Sequence, residues 1–218
     1  LGVPTGLHLH ESAEDAIAKM TAQLKHVDQS GLAEWQKADA VRTFLIPQLV
    51  FHLTNATVPK KPLVAFDKEL CRCAKRWLHL PQRASTEPLY IPTSHGGLGL
   101  VKLQHLADAC EVAHVNTLLA SQDPVVLSIA NQSSREVAEK KVQRAVTDDE
   151  MRDYYNGSTE GVFDTNSTDV ASVWTRARMA TRRLRNLTNV SWACTNGQLS
   201  LRIDDQTAAP GTTQHLLR

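Results

Sequence analysis

Two short windows of the chain gather the side chains best suited to holding phosphate. The first contains Lys61, Lys68, Arg72, Lys75 and Arg76, and the second contains Arg176, Arg178, Arg182, Arg183 and Arg185. Ammonium and guanidinium groups bind a phosphodiester backbone without reading its bases, and each contact releases counterion. Glu69 and Asp67 dilute the first window, whereas no acid lies between Ala171 and Thr188. The plain alternative is a solvated helix surface, which basic residues supply routinely.

Other groupings suggest chemistry and are set aside by their context. Asp148-Asp149 and Asp204-Asp205 are paired aspartates of the kind that holds magnesium for phosphoryl transfer, but that arrangement needs flanking hydrophobic strands. Val146-Thr147-Asp148-Asp149-Glu150 reads instead as a polar helix start, where carboxylates favour the helix dipole. His95-Gly96-Gly97-Leu98-Gly99 has neither the Walker lysine nor the G-x-G-x-x-G spacing, so it reads as a tight turn. The nine histidines are scattered, and none has a nucleophile and an orienting acid at a recognisable spacing. Cys71, Cys73, Cys110 and Cys194 fit no zinc spacing. Cys71 and Cys73 would point about 200° apart on a helix, too far to share one metal ion. No catalytic residue, metal ligand or cofactor is expected in this segment.

The elements that must position the basic windows are helical. Ser12 and Asp15 form a capping-box-like start, followed by a stripe of Ala13, Ile17, Met20, Leu24 and Val27 that stops at Gly31. A second helix from about Leu32 is apolar on most sides (Leu32, Trp35, Val41, Phe44, Leu45, Ile46) and is expected to be buried until Pro47 ends or kinks it. In a third helix Leu63, Phe66, Leu70, Ala74 and Trp77 fall within an arc of about 80°, leaving Lys61, Lys68, Arg72 and Lys75 on the other side, with Arg76 flanking. Leu89-Tyr90-Ile91 reads as briefly extended. Helices are expected near Lys102–Ala120, Ser134–Val146 and Asp148–Tyr155, with Asn156 to Asp169 as a linker or loop. Val173, Ala177, Ala180, Leu184 and Leu187 mark a last helix, which leaves Arg178, Arg182 and Arg185 facing out, while Arg176 and Arg183 flank the stripe. Gln206 to Gln214 reads as a polar, frayed tail. No alternation of period two persists, so the fold class is all-α.

Composition sets the outer bounds. The 218 residues are 42% hydrophobic and 22% charged, and the net charge of +1 says nothing about partners. No apolar run reaches the ~18–20 residues of a membrane span. The start at Leu1 has no initiator Met, basic start or apolar stretch, so a piece of a longer, intracellular protein with reduced thiols is expected. Six Asn-x-Ser/Thr sites, beginning at Asn55, Asn131, Asn156, Asn166, Asn186 and Asn189, point weakly the other way.

Five blocks then occur in order: Leu32-Ala33-Glu34-Trp35-Gln36-Lys37, Arg42-Thr43-Phe44-Leu45-Ile46-Pro47, Phe66-Asp67-Lys68, Arg76-Trp77-Leu78-His79-Leu80-Pro81 and Gly96-Gly97-Leu98-Gly99. The series resembles the thumb of non-LTR retrotransposon reverse transcriptases, especially the site-specific kind with a restriction-like endonuclease. The resemblance covers about residues 1 to 105 and extends beyond them by position only. It implies a palm and primer-grip edge over 1–10, a three-helix thumb bundle over 11–100, a smaller helical linker over 101–156, a flexible loop over 157–170, and a basic helix with a polar tail over 171–218. The palm aspartates, zinc knuckle and nuclease motifs of such enzymes are absent, so the segment is expected to be inactive alone, with magnesium belonging to the parent palm. The implied partners are an RNA template and DNA primer duplex, the palm domain and target DNA, in the nucleus at the site of integration. A degenerate protein-interaction module and a sequence-specific DNA-binding helical domain stay open as alternatives.

Overall fold

The computed structural model describes residues 14–56, 58–164 and 169–209. Ser12, the stretch 1–10 and the end of the polar tail lie outside the described residues. Of the described residues 64% are helical, with one small sheet among them. It divides into two compact units, Leu1–Ala107 and Asp108–Arg218.

In the first unit the apolar stripes do what their spacing requires. Helix α1 (Glu14–Gln29) buries Ile17, Met20 and Leu24, and α4 (Lys60–Trp77) buries Leu63, Phe66, Leu70, Ala74 and Trp77. Trp77 is 4% exposed, and its Nε1 donates to Asp28 Oδ1 at 2.8 Å, satisfying the one polar atom of a buried indole. Between them run α2 (Glu34–Ala40), a π-turn at Val41–Leu45 and α3 (Ile46–Asn55), packed through Val41, Leu45, Ile46, Leu49 and Leu53. Pro47 lies inside a continuous helical run, directly after the wide π-turn, whose looser bonding accommodates the missing N–H and the ring. The expectation of a middle helix buried on most sides fails: Leu32 is exposed, as are Trp35 at 68% and Phe44 at 65%. Only one side of α2 and α3 meets neighbours in this unit.

Leu89-Tyr90-Ile91 is not extended either. Leu89 and Tyr90 belong to a short helix, α5 (Glu87–Tyr90), with Pro88 in its first turn. The glycine run that follows is the tight turn its sequence implies. Gly96 has φ 82° and Gly99 φ 61°, and a Cβ on Gly97 would fall 2.0 Å from the Ile91 carbonyl oxygen. The turn returns the chain to Lys102, just ahead of α6 (Leu103–Leu119).

The second unit is built on α6, α7 (Pro124–Val142), α8 (Asp148–Tyr155) and α9 (Val173–Leu184). Helix α7 starts ten residues before the expected Ser134, because Asp123 caps it by accepting from Val125 N–H at 2.8 Å and Pro124 occupies its first turn. Helix α8 has the predicted polar start: Thr147 and Glu150 form a reciprocal capping box, with Asp148 and Asp149 in the first turn. The strands are the correction to the sequence reading. Strands β1 (Val190–Thr195) and β2 (Gln198–Ile203) pair antiparallel with Thr195 opposite Gln198, and the two-residue β3 (Gln206–Thr207) follows. Asn196 and Gly197 make the turn at φ 52° and 75°, the left-handed pair that matches the twist of a hairpin. Asp204 and Asp205 make the next turn, also at positive φ. Val190, Trp192, Leu199 and Leu201 face a core that holds Tyr154, Tyr155, Phe163 and Trp174.

Candidate nucleic-acid interface

Helix α4 presents a basic stripe whose members have different fates. Lys61, Lys68, Arg72 and Arg76 are exposed. Lys61 and Lys68 have no ion pair or hydrogen bond among the described residues. Arg72 Nη1 reaches Glu69 Oε2 at 2.6 Å, one turn back, and Arg76 Nη2 reaches Asp28 Oδ2 at 2.6 Å. Such surface pairs are worth little and exchange readily for a stronger anion. Lys75 departs from the prediction of an outward-facing group. It is buried, and its Nζ donates to the carbonyls of Gln82 at 2.8 Å and Ala84 at 2.7 Å. The segment after α4 folds back over that flank of the helix, which a wheel drawn for an isolated helix does not contain.

The same fold-back creates an open pocket of about 390 Å³ against α4, lined by Lys68, Arg72, Lys75, Tyr90 and Lys102, with Asp67 as its one carboxylate. Asp67 is buried and caps α6 from a distance, accepting from Leu103 N–H at 2.8 Å and Gln104 N–H at 3.4 Å. Burial pushes its carboxyl above the usual range, and those two N–H groups oppose the shift.

Helix α9 uses its arginines differently. Arg178 is 0% exposed, the opposite of the outward face expected for it. Its Nε donates to the Tyr154 carbonyl, its Nη2 to the Ser158 carbonyl at 2.8 Å, and its guanidinium lies 4.8 Å from the Tyr154 ring centre. Asp169 supplies the counter-charge, 3.5 Å from Arg178 Nη1 and 3.1 Å from the buried Lys141 Nζ. The physical reason is that Trp174 and Thr181 are buried as well, which widens the apolar arc until it takes in position 178. Trp192 of the unforeseen hairpin donates from Nε1 to Thr181 Oγ1 at 2.9 Å and holds that side of the helix shut.

Arg176 and Arg183 are committed to α6. Arg176 Nε contacts both carboxylate oxygens of Glu111, and Arg183 grips Asp108 through Nε at 2.9 Å and Nη2 at 2.6 Å. Asp108 and Glu111, three apart, are the only acids of α6 and lie on one side of it. Only Arg182 and Arg185 of the second window are exposed with no partner among the described residues. They line an open polar pocket of about 470 Å³ with Ser158, Thr159, Asn186 and the acids Asp153 and Glu160. The ten predicted contacts therefore reduce to four free cations: Lys61 and Lys68 in one unit, Arg182 and Arg185 in the other. Among the described residues no group of His, Cys, Asp and Glu could hold a metal ion, and no helix is long and apolar enough to cross a membrane.

Against this geometry, three curated proteins are similar to parts of the chain. Over 121 residues (56% of the chain) it is 27% identical to the retrovirus-related Pol polyprotein of the type-1 retrotransposable element R2 of Popillia japonica, covering 17% of that protein. Over 96 residues (44% of the chain) it is 29% identical to the corresponding polyprotein of the type-2 element R2DM of Drosophila melanogaster, covering 9% of it. An uncharacterized protein of Caenorhabditis elegans is 31% identical over 101 residues, 46% of the chain and 29% of that protein. These matches support a retrotransposon-related origin. The chain spans less than a third of each relative it matches. No family model matches it. No solved structure matches it either.

Proposed function

We propose that this chain is the non-catalytic, nucleic-acid-holding part of a site-specific retrotransposon reverse transcriptase, its first unit serving as the thumb. The observation that carries the reading is the split in α4: one side locked into a three-helix core, the other presenting Lys61, Lys68, Arg72 and Arg76 in a row at spacings of seven, four and four. A rigid helix with exposed cations holds a phosphate backbone at any sequence, as a polymerase must hold a growing duplex. Similarity to two R2 polyproteins supports the origin, and Arg182 and Arg185 add a second point of contact. The RNA template and DNA primer duplex is the partner, target DNA is a further substrate of the same contacts, and the palm that carries the magnesium-binding aspartates is supplied by the parent protein in the nucleus. The exposed Trp35 and Phe44 favour a protein partner against α2 and α3, and the palm fits that place.

The test is the salt dependence of binding by the whole chain to B-form DNA and to an RNA–DNA hybrid. Replacing Lys61, Lys68, Arg182 and Arg185 together by Gln should flatten the log–log slope on DNA by up to ~3.6, at about 0.9 per phosphate. It should weaken all sequences alike. An unchanged slope, or discrimination among sequences that resists salt, would overturn the reading. Primer extension by the chain alone, with magnesium and a primed RNA template, should not exceed background.

A further inference from the structure

We propose that the pocket against α4 is a seat for a single phosphoryl group, held by Lys68, Arg72 and Lys102 with Lys75 and the Tyr90 hydroxyl behind them. It rests on the nucleic-acid reading above for its natural source, a phosphate of the bound strand, and it adds a fixed register to contacts that are otherwise interchangeable.

The charge balance of the pocket is the first argument. Four cations line it against one carboxylate. Both oxygens of that carboxylate, Asp67, are occupied by the N–H groups of Leu103 and Gln104. Asp67 is therefore committed to the first turn of α6, whose own dipole adds positive potential at this end of the pocket. Lys68 has no partner among the described residues, and the Lys102 ammonium lies over the Tyr90 ring, 4.8 Å from its centre, in no ion pair but close enough for its charge to favour the Asp67 carboxylate. Arg72 gives one N–H to Glu69, which does not line the pocket, and keeps four of the five donors of a guanidinium. Lys75 gives two N–H groups to carbonyls and keeps one.

The donors also suit a phosphate better than a simpler anion. A guanidinium fork with several ammonium groups around it matches the tetrahedral oxygens of a phosphate, as a strand phosphodiester or a free anion. Tyr90 Oη is 2.8 Å from Cys71 Sγ; the thiol can donate to it, which leaves the phenolic O–H free for the ligand. Burial and the neighbouring Cys71 push the phenol far above its usual range, so the hydroxyl stays protonated and can donate. The volume of about 390 Å³ takes a phosphate with its attached sugar, within the range of small-ligand sites.

The experiment titrates inorganic phosphate into the whole chain by calorimetry and, separately, measures the salt slope of binding to a DNA duplex. The variants are Lys102→Gln and the milder Tyr90→Phe, each checked for an unchanged circular dichroism spectrum. Phosphate is expected to bind the wild-type chain at millimolar concentration. Its affinity should fall at least tenfold in Lys102→Gln and measurably in Tyr90→Phe. For a strand phosphate, Lys102→Gln also flattens the duplex slope by ~0.9. Phosphate binding lost with the duplex slope unchanged would keep the seat and assign it to a free phosphate or nucleotide. A wild-type chain that binds duplex but not phosphate, with both variants binding duplex as the wild type does, overturns the seat and leaves the duplex reading standing. Phosphate binding without any duplex binding does the reverse.

Discussion

The two basic windows, one on α4 and one on α9 with its C-terminal cap Arg185, hold five residues each, and the two units use them in different ways. On α4 four of the five stay at the surface, two free and two in pairs with Glu69 and Asp28. On α9 three of the five are turned to structure: Arg178 to the partly buried Asp169, Arg176 to Glu111 and Arg183 to Asp108. Asp108 is almost fully buried, so giving Arg183 up to a passing phosphate would take a charged partner from a buried carboxylate. The arginine-rich helix, which looks the stronger binder by density of charge, is thus the poorer source of free charge. Density of positive charge in a sequence measures what must be compensated as well as what is available.

The sharpest way to break this comparison is Arg178→Met. Removing one partner of a buried charged cluster leaves Asp169 and two carbonyls short of donors, and it should cost about 3–5 kcal/mol in urea unfolding. A cost near zero would return Arg178 to the surface. Trp77→Ala, a loss of the same order (about 3–5 kcal/mol), tests the first unit in the same way. Lys75→Met comes next: it abandons two carbonyl hydrogen bonds and should cost about 1–3 kcal/mol, where Lys68→Met should cost less than about 0.5 kcal/mol. Equal effects at the two lysines would erase the distinction between held and free cations on α4.

How much of this was legible in the sequence depended on whether neighbours mattered. The stripes of α1 and α4 placed Ile17, Met20, Leu24, Phe66 and Trp77 in the core because period alone decides a buried face. Lys61 and Lys68 were found for the same reason. Lys75 and Arg178 were misplaced because the groups that capture them, the carbonyls after α4 and the β-hairpin, are remote from any helical wheel. The hairpin itself had a readable signal: Asn196-Gly197 lies between Trp192 and Leu199, at the centre of alternating burial. The pocket at Tyr90 and Lys102 had none, since it exists only when the chain returns to α4.

The smaller effects sharpen rather than break the comparison. Lys61→Gln with Lys68→Gln, and Arg182→Gln with Arg185→Gln, should each flatten the duplex salt slope by up to ~1.8. Neither pair should change stability by more than about 0.5 kcal/mol. A larger loss of slope for the α9 pair would restore that helix as the main contact. The least effect belongs to pH. Glu150, at the cap of α8, is pulled down from 4.5 to about 2 by the Arg144 guanidinium and the Thr147 N–H. A depressed carboxylate stabilises the fold above its unfolded pKa, so this contribution should vanish as pH falls from about 4.5 towards 2. Glu150→Gln should shallow the acid limb of the unfolding curve over that interval.

Gly157 gives Arg182 a property that Lys61 lacks. It sits at φ 76°, and a Cβ there would fall 2.5 Å from Arg182 Cβ, so its bare backbone lies directly against the stem of that arginine. The loop thereby acts as a mould for the first carbons of a side chain whose head is free. A long basic side chain gives up about 2 kcal/mol of rotamer freedom when it is immobilised. Part of that loss has already occurred in Arg182 before any anion arrives, while Lys61 undergoes all of it on contact. Two exposed cations of equal charge are therefore unequal ligands. A methyl group added at residue 157 would change how Arg182 meets any anion through that side chain's rotamer, without touching the anion.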